Sequence, residues 1–397
     1  MVVDNRIMDA FYQIEVGAAM PIQKPTAISE HFANVEDPRR GPLHDLIDIL
    51  TIAICAVICG ANDFVAIADY GKAKQSWFEK HLRLKYGIPT DDTFRRVFEA
   101  IKPEAFESSF IAWVASVNDV MAGEVINIDG KALRRSHDRA NGTEMIHLVS
   151  AWAGGKGFIL GQEKVATKSN EITAIPELLN KLALKGCIVT IDAMGCQSKI
   201  ASLIQQEGAD YVLALKGNQG EIHDAVKLVF EHGEQTGFKH LQHDYHRTFE
   251  KGHGRLETRE YWTTDVVDPI AEMSGKPLWE GLMSIGKVKS RRVEKDKTSE
   301  ETRYYLSSLS SNAKEFAKAV RSHWSIENSL HWVLDVAFRE DESRTRTGNG
   351  AENLSIVRRI ALNMLKQEQT AKCGIANKRL RAGWDDKYLL AVLKITT

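Results

Sequence analysis

The sequence has almost no excess of charge: 52 Lys plus Arg stand against 53 Asp plus Glu, a formal net charge of -1 over 397 residues. That balance excludes a uniformly basic coat, so any contact with nucleic acid has to come from local patches. Cysteine is scarce and odd in number: Cys55, Cys59, Cys187, Cys196 and Cys373, with no CxxC pair. Such a set reads as reduced thiols in a cytoplasmic protein rather than a disulfide frame. Cys55 and Cys59 are four apart and share a helix face, and no nearby His or Cys pair completes a zinc site. Long hydrophobic runs are missing too. The longest, residues 49–61, is interrupted by Thr51 and is too short to span a bilayer. The first twenty residues carry charges where a signal peptide needs an apolar block. There is no internal repeat and no low-complexity tract.

What is present suits a globular chain of two or three domains, with 43% hydrophobic and 26% charged residues. Residues 1–27 show no clear period and read as a loose leader. Residues 28–120 are patterned as helices and form an all-helical N-terminal domain, in which Thr90 opens one helix with a capping signal. The character changes at Gly123. VINIDG, HLVSAWAG and GFILGQEKVA read as three consecutive strands broken by glycines. EITAIPELLNKLAL, CIVTIDAMG, SKIASLIQQEG and ADYVLALKG then alternate helix and strand, which implies a mixed sheet with parallel members. Residues 221–235 return to helix, about 236–310 read as a β-rich insertion, and 312–338 and 351–367 read as long helices. Residues 368–397 are expected as a C-terminal tail.

Three acids occupy unusual places. Asp129 follows VINI and Asp192 follows IVTI, so both strands end on an apolar run, Ile, Asp and a small residue. As neighbouring parallel strands they would bring two carboxylates within roughly 5 Å, where they repel unless one is protonated or a cation sits between them. The carboxyl edge of a parallel sheet is also where α/β folds place their sites. The third acid is Glu327. At helical spacing it shares a face with Val320, His323, Trp324, Leu330, His331 and Leu334, an apolar stripe in which an unpaired charge is costly. An aspartate after a strand more often serves a turn or a helix cap. The matched pair together with an inward-facing glutamate points instead to a cage for a hard cation, and two such ions can cleave a phosphodiester.

Basic and amide groups surround these acids. Lys131, Arg134 and Arg135 follow the first; Lys168, Ser169 and Asn170 precede a helix; Lys216, Asn218 and Gln219 close a strand; Arg344 and Arg346 follow the long helix. Each alone is usually a solvated loop, or for Asn170 a helix cap. Together, at strand C-termini and helix N-termini, they suit phosphate contacts. Lys289, Arg291 and Arg292 read as a solvated hairpin face. Trp324 and Trp332 suit either stacking on an unpaired base or core packing. His323 suits equally a satisfied core position or a phosphate contact.

NIDGKALRRS, NEITAIPELL, VTIDAMGCQ, DYVLALKGNQ, RYYLSSL and HWSIENSLHWVLDVAFRED together resemble the H-repeat-associated transposases. These are bacterial insertion-sequence proteins of the DDE superfamily, often found beside Rhs elements. VEDPRRGPLHDLIDILTIAICAVICGANDF and GIPTDDTFRRVF resemble the helical region preceding the catalytic domain in that family. The resemblance spans about residues 28–367. It implies an α/β fold with an RNase H-like mixed-sheet catalytic core over 121–367, split by the β-rich insertion, and a DNA-binding N-terminal domain. It makes Asp129, Asp192 and Glu327 the catalytic, metal-binding triad. It implies Mg²⁺ as cofactor, two ions, with Mn²⁺ able to substitute. Its partners would be double-stranded DNA, at element ends and target, and further copies in a homodimer or larger multimer on the nucleoid. The reaction implied is hydrolysis at element ends followed by strand transfer from the freed 3′-hydroxyl. The wider superfamily has Tyr, Arg and Lys where this chain has Val320, His323 and Leu334; Arg321, His323 or His331 would take those roles. A nuclease on the same fold, or a silent DNA-binding protein, are the competing functions.

Overall fold

The computed structural model describes residues 30–118, 120–137, 142, 144–166, 169–252, 254–275, 277, 279–294 and 297–394. The expected leader and Lys168 lie outside them.

Side-chain caps open two of the N-terminal helices, the second at the signal read from Thr90. Asp45 accepts the amide of Ile47 to cap Leu46–Ile58, and Thr90 accepts that of Thr93 to cap Asp91–Ala100. Leu46–Ile58 is apolar on every face, so it needs cover all round. Gly350–Gln367 and Ile375–Trp384 provide it. Residues expected as a tail therefore carry two packed helices, Ile375–Trp384 and Asp386–Val392. The Arg379 guanidinium fastens the first of these by donating to the carbonyls of Val57 and Ala61.

The sheet has nine strands: β1 (Val125–Leu133), β2 (Ile146–Ala153), β3 (Phe158–Lys164), β4 (Ile188–Ile191), β5 (Asp210–Leu215), β6 (Asp244–Gly252), β7 (Arg255–Thr264), β8 (Ser284–Glu294) and β9 (Lys297–Ser307). Their order is β3-β2-β1-β4-β5-β9-β8-β7-β6. Strands β1, β4 and β5 run parallel and all other neighbours antiparallel, as the mixed pattern of the sequence requires. Strands β6 to β9, expected as an insertion, extend the same sheet, because β9 pairs with β5.

Period-2 alternation sorts the faces. Ile126 and Ile128 of β1, with Val189 and Ile191 of β4, enter a large core that is continuous with the N-terminal helices. Val125, Ile188 and Val212 point the other way and pack with Phe316 and Val320 of the helix Ala313–Ile326. That helix carries the chain across the sheet towards Glu327.

A buried ion network holds the chain beyond Glu327. Lys131 of β1 is 8% exposed and pairs with Asp335 at 2.7 Å and Asp341 at 2.8 Å. Glu340 is 2% exposed, lies 3.2 Å from Arg359 and 3.9 Å from both Arg358 and Lys131, and accepts from Ser355. Burial raises the Glu340 carboxyl, but the guanidinia and Lys131 outweigh it and hold the group below its ordinary range. Three cations thus face three carboxylates. Removing one partner of such a set leaves an uncompensated buried charge. Glu340→Ala is expected to lower stability by about 3–5 kcal/mol in urea unfolding. A loss under about 1 kcal/mol, the size of an exposed pair, would show that the network is solvated instead.

Candidate active site

The site begins with a register. Ile128 of β1 lies opposite Ile191 of β4 in the parallel ladder. The next residues on each strand are Asp129 and Asp192, so the two aspartates stand side by side. Asp129 is not at the end of its own strand, however. Strand β4 stops at Ile191, whereas β1 runs on to Leu133 paired only with β2. The expected strand end is thus the end of β4 alone. Asp129 sits in β1 where the sheet opens beside it.

A polar rung supports the pair from below. Asn127 and Thr190 precede the aspartates by two residues on the same face. The Thr190 hydroxyl donates to Asn127 at 2.7 Å, and the Asn127 amide donates to Ser322 at 3.1 Å. Thr190 also lies 3.0 Å from Nδ1 of His323. The helix Ala313–Ile326 is thereby registered on β1 and β4 by hydrogen bonds. His323 is a half-buried positioning group, and burial pushes its imidazole down to about 4.

After Ile326 the helix widens into one π turn, Glu327–His331, in which the Trp332 amide donates to the Glu327 carbonyl. Such single turns often mark functional positions. The expected uninterrupted helix over 312–338 is broken here. Glu327 also differs from expectation: it is exposed, not set in an apolar stripe. The extra residue of the turn alters the face that 3.6-residue spacing assigns. His331 instead goes inside, 8% exposed, with Nδ1 3.5 Å from the Asp129 carboxylate. Burial, then Arg359 and Lys131, push its imidazole down to about 4. It is therefore neutral near pH 7, and its buried Nε2 has no hydrogen-bond partner among the described residues.

Asp129 feels several acids at once. Burial raises its carboxyl to about 7; the Gly130 amide opposes this, while Asp192, Glu171 and Glu327 add to it. Asp192 accepts the amides of Met194 at 3.0 Å and Gly195 at 3.3 Å. Among the described residues, no three His, Cys, Asp or Glu are grouped closely enough to hold one ion.

Glu171 was missed from the sequence. It opens the helix Glu171–Asn180, and its carboxylate lies over Gly130: a Cβ built there would be 1.9 Å from Oε1. Burial, then Asp192, raise its carboxyl. A glycine directly after Asp129 was the available signal, since only glycine leaves that space.

The basic groups expected at phosphates fall into two sets. Lys131 is buried in the ion network and His331 is turned inward, so neither reaches solvent as expected. Asn218 donates to the Ala193 carbonyl at 2.7 Å and Gln219 to that of Cys196 at 2.9 Å, fixing the loop after Asp192. Asn170 caps its helix through the Ile172 amide. Arg134 is exposed beside Asp341, and Arg346 donates to the Arg135 carbonyl. Lys216, Arg135 and Arg344 are exposed, and Arg321 is exposed and paired with Glu250 at 2.9 Å. Trp324 is 38% exposed with Arg303 stacked 4.5 Å from its ring centre, while Trp332 is 60% exposed.

Two family models match this chain. The one described as DDE_Tnp_1-associated covers residues 29–114, and the one described as Transposase DDE domain covers 91–364. The chain belongs to the DDE transposase family. It is 44% identical to "Putative transposase YncI" of Escherichia coli O157:H7 over 353 residues, 88% of this chain and 89% of the relative. It is 41% identical to "H repeat-associated putative transposase YhhI" of Escherichia coli (strain K12) over 372 residues, 92% and 97% of the two chains. The resemblance read from the motifs therefore holds. A cryo-EM structure of a piggyBac transposase synaptic complex with hairpin DNA aligns at 11% identity and TM-score 0.41 over 93% of this chain and 77% of its own. That likeness is too distant to bear on the fold. Among the described residues of this DDE transposase, no helix is long and apolar enough to cross a membrane.

If Glu171 and Asp129 share one space, removing the Glu171 charge takes away a repulsion that opposes ionisation of Asp129. Glu171→Gln is expected to lower the Asp129 pKa from about 7 towards the ordinary carboxylate range, read by ¹³C titration of labelled aspartate. Gly130→Ala, which pushes the same carboxylate outward, should act in the same direction. An Asp129 titration unmoved by both changes would separate the two groups.

Proposed function

We propose that this chain is a DDE transposase that cuts DNA at insertion-sequence ends and joins the freed 3′-hydroxyl to a target. The observation that carries the reading is the β1–β4 register, which puts Asp129 beside Asp192 where β4 ends. Glu327 is the third catalytic acid. The strand order β3-β2-β1-β4-β5 is read as an RNase H-like core over 121–367, with β6 to β9 as the insertion into it and 28–120 as the associated DNA-binding region.

The donor chemistry suits a hard divalent cation, although among the described residues no three of the acids already converge on one point. All the acids offer oxygen, and the space over Gly130 admits a fourth carboxylate, from Glu171. Asp129, Asp192 and Glu327 would hold Mg²⁺, two ions, with Mn²⁺ as substitute. When bound, the metal supplies an activated water and neutralises charge on the leaving oxygen. The protein's own part is placement. The Asn127–Thr190–His323 rung fixes the two strands and the helix that leads to Glu327, and the amides of Met194 and Gly195 orient Asp192. His331, neutral and buried, flanks Asp129 on its inner side at 3.5 Å. Lys216, Arg134, Arg135, Arg344 and Arg346 are solvent-facing candidates for phosphate contacts. Double-stranded DNA is the partner, and bringing two ends together requires a homodimer or larger assembly.

Asp192→Asn preserves shape and removes charge. With a labelled duplex carrying the DNA that flanks the gene, wild type in Mg²⁺ or Mn²⁺ is expected to nick at one defined position. The variant should lose that nicking while keeping its fold and DNA affinity. Wild-type cutting by Asp192→Asn would sink the site assignment, and scattered cuts on any duplex would favour a general nuclease. Calcium, whose coordination is looser, is expected to support binding with little cleavage; equal cutting in Ca²⁺ and Mg²⁺ would count against a two-metal reaction.

A further inference from the structure

Beyond the carboxylates, Glu327 opens onto a groove of about 280 Å³ on the outer half of the sheet. Arg255 and Arg259 of β7, Arg292 of β8, Arg303 of β9 and Arg321 of the helix Ala313–Ile326 line it. Three glutamates share the lining, Glu327 among them, and Glu250 and Glu294 pair with its arginines from outside it. The clustering follows from strand geometry. Arg255 and Arg259 are four apart and point to one face. In the ladders Arg292 lies opposite Glu257, and Arg303 lies opposite Val288, which keeps both on that face. It is the face that Ala313–Ile326 crosses and to which Tyr261 and Tyr305 contribute their rings.

The guanidinia differ in how firmly they are held. Arg259 is 11% exposed, 2.6 Å from Glu257 and 3.2 Å from Glu250, and shapes the floor. Arg303 pairs with Glu301 at 2.8 Å and stacks on Trp324, which forms the wall nearest Glu327. The Arg292 side chain is 42% exposed, and its one ion pair among the described residues is with Glu294, at 3.6 Å. Arg255 has no ion pair among the described residues. An ordered floor bearing two half-buried guanidinia, Arg255 unpaired among the described residues and Arg292 only loosely paired, suits a ligand with repeated oxyanions, because each fork can bind a phosphate bidentately.

We propose that this groove seats consecutive phosphodiester groups of a DNA strand next to Glu327, with Arg255 and Arg292 as phosphate contacts. The proposal rests on the DNA-cleaving function and adds where the backbone lies. It assigns the strands β7 to β9 a binding role separate from the acids.

The test needs no metal and no turnover. Binding of the flanking duplex is followed by fluorescence anisotropy in EDTA across a salt series, with far-ultraviolet circular dichroism confirming the fold. Each phosphate contact contributes about 0.9 to the slope of log affinity against log salt, so Arg255→Gln/Arg292→Gln is expected to flatten it by about 1.8. Arg255→Lys/Arg292→Lys keeps both charges and should retain the slope. Lys387→Gln, on the helix Asp386–Val392 away from the groove, should change neither slope nor affinity. If the double Gln variant fails to fold, Arg292→Gln alone, on an exposed edge of the groove, should flatten the slope by about 0.9. Wild-type binding with an unchanged slope in the Gln variants overturns the groove and leaves the nuclease site intact. No binding by wild type overturns the DNA function and the groove with it. Competition by polyglutamate as effective as by DNA would also overturn the phosphate assignment.

Discussion

The structure depends on one parallel pairing, Val125 to Ile128 of β1 against Ile188 to Ile191 of β4. A slip of one residue would reverse every side chain on one of these strands. Ile126 and Ile128 would leave the core, and Asp129 and Asp192 would no longer face the same side. Two requirements therefore reinforce each other: the apolar residues enforce the register that aligns the acids. The rung of Asn127, Thr190, Ser322 and His323 adds a polar check, because those buried groups satisfy each other only in this alignment.

The opposite side of the site has a different anchor. The segment that carries Glu327 is a π turn between two helical stretches, an arrangement with poorer intrinsic hydrogen-bond geometry than a continuous helix. Its downstream end is tied to β1 through Lys131, Asp335 and Asp341, and then to Gly350–Gln367 through Glu340, Arg358 and Arg359. Replacing such a network with apolar residues can be neutral or better for stability. Its use here is directional: charges pair with fixed partners, and Lys131 is only two residues from Asp129. The network sets the position of the chain after Glu327 relative to the strand that bears the first aspartate.

Local signals in the sequence were sufficient for much of this. The short apolar runs gave β1, β4 and β5, the capping signal at Thr90 gave one N-terminal helix, and the matched VINID and TID endings gave the adjacent aspartates. What failed was non-local. Lys131 reads as a basic loop residue until residues 335–341 fold back onto it. Asn218 and Gln219 read as phosphate ligands until the loop at 193–197 takes their amides. Glu327 was assigned a face by a constant 3.6-residue period, which the π turn breaks. Glu171 was hidden because the helix start was read for its cap, Asn170, and not for the carboxylate one residue later, over Gly130. Of these contacts, that of Glu171 alone leaves a mark within a short window of sequence, the glycine after Asp129.

The near-zero net charge acquires a spatial meaning from the fold. Asp129, Asp192, Glu171 and Glu327 gather at the end of β4, while arginines line the sheet extension that begins where β9 pairs with β5. Opposite charges spread evenly over a surface would cancel at the distance of a Debye length, about 8 Å at physiological salt. Here the pairing is uneven: Arg259, Arg292, Arg303 and Arg321 each have a glutamate and Arg255 has none among the described residues, so under the proposed function a polyanion would be drawn to the groove and repelled by the acids at the end of β4. Attraction and repulsion then act on different parts of one ligand. A divalent ion at the acids would remove the repulsion only there, so that metal and DNA favour each other's binding through charge alone. Under the proposed function, the extension of the sheet would complete the site electrostatically and let a chain with no overall charge draw DNA to its carboxylates.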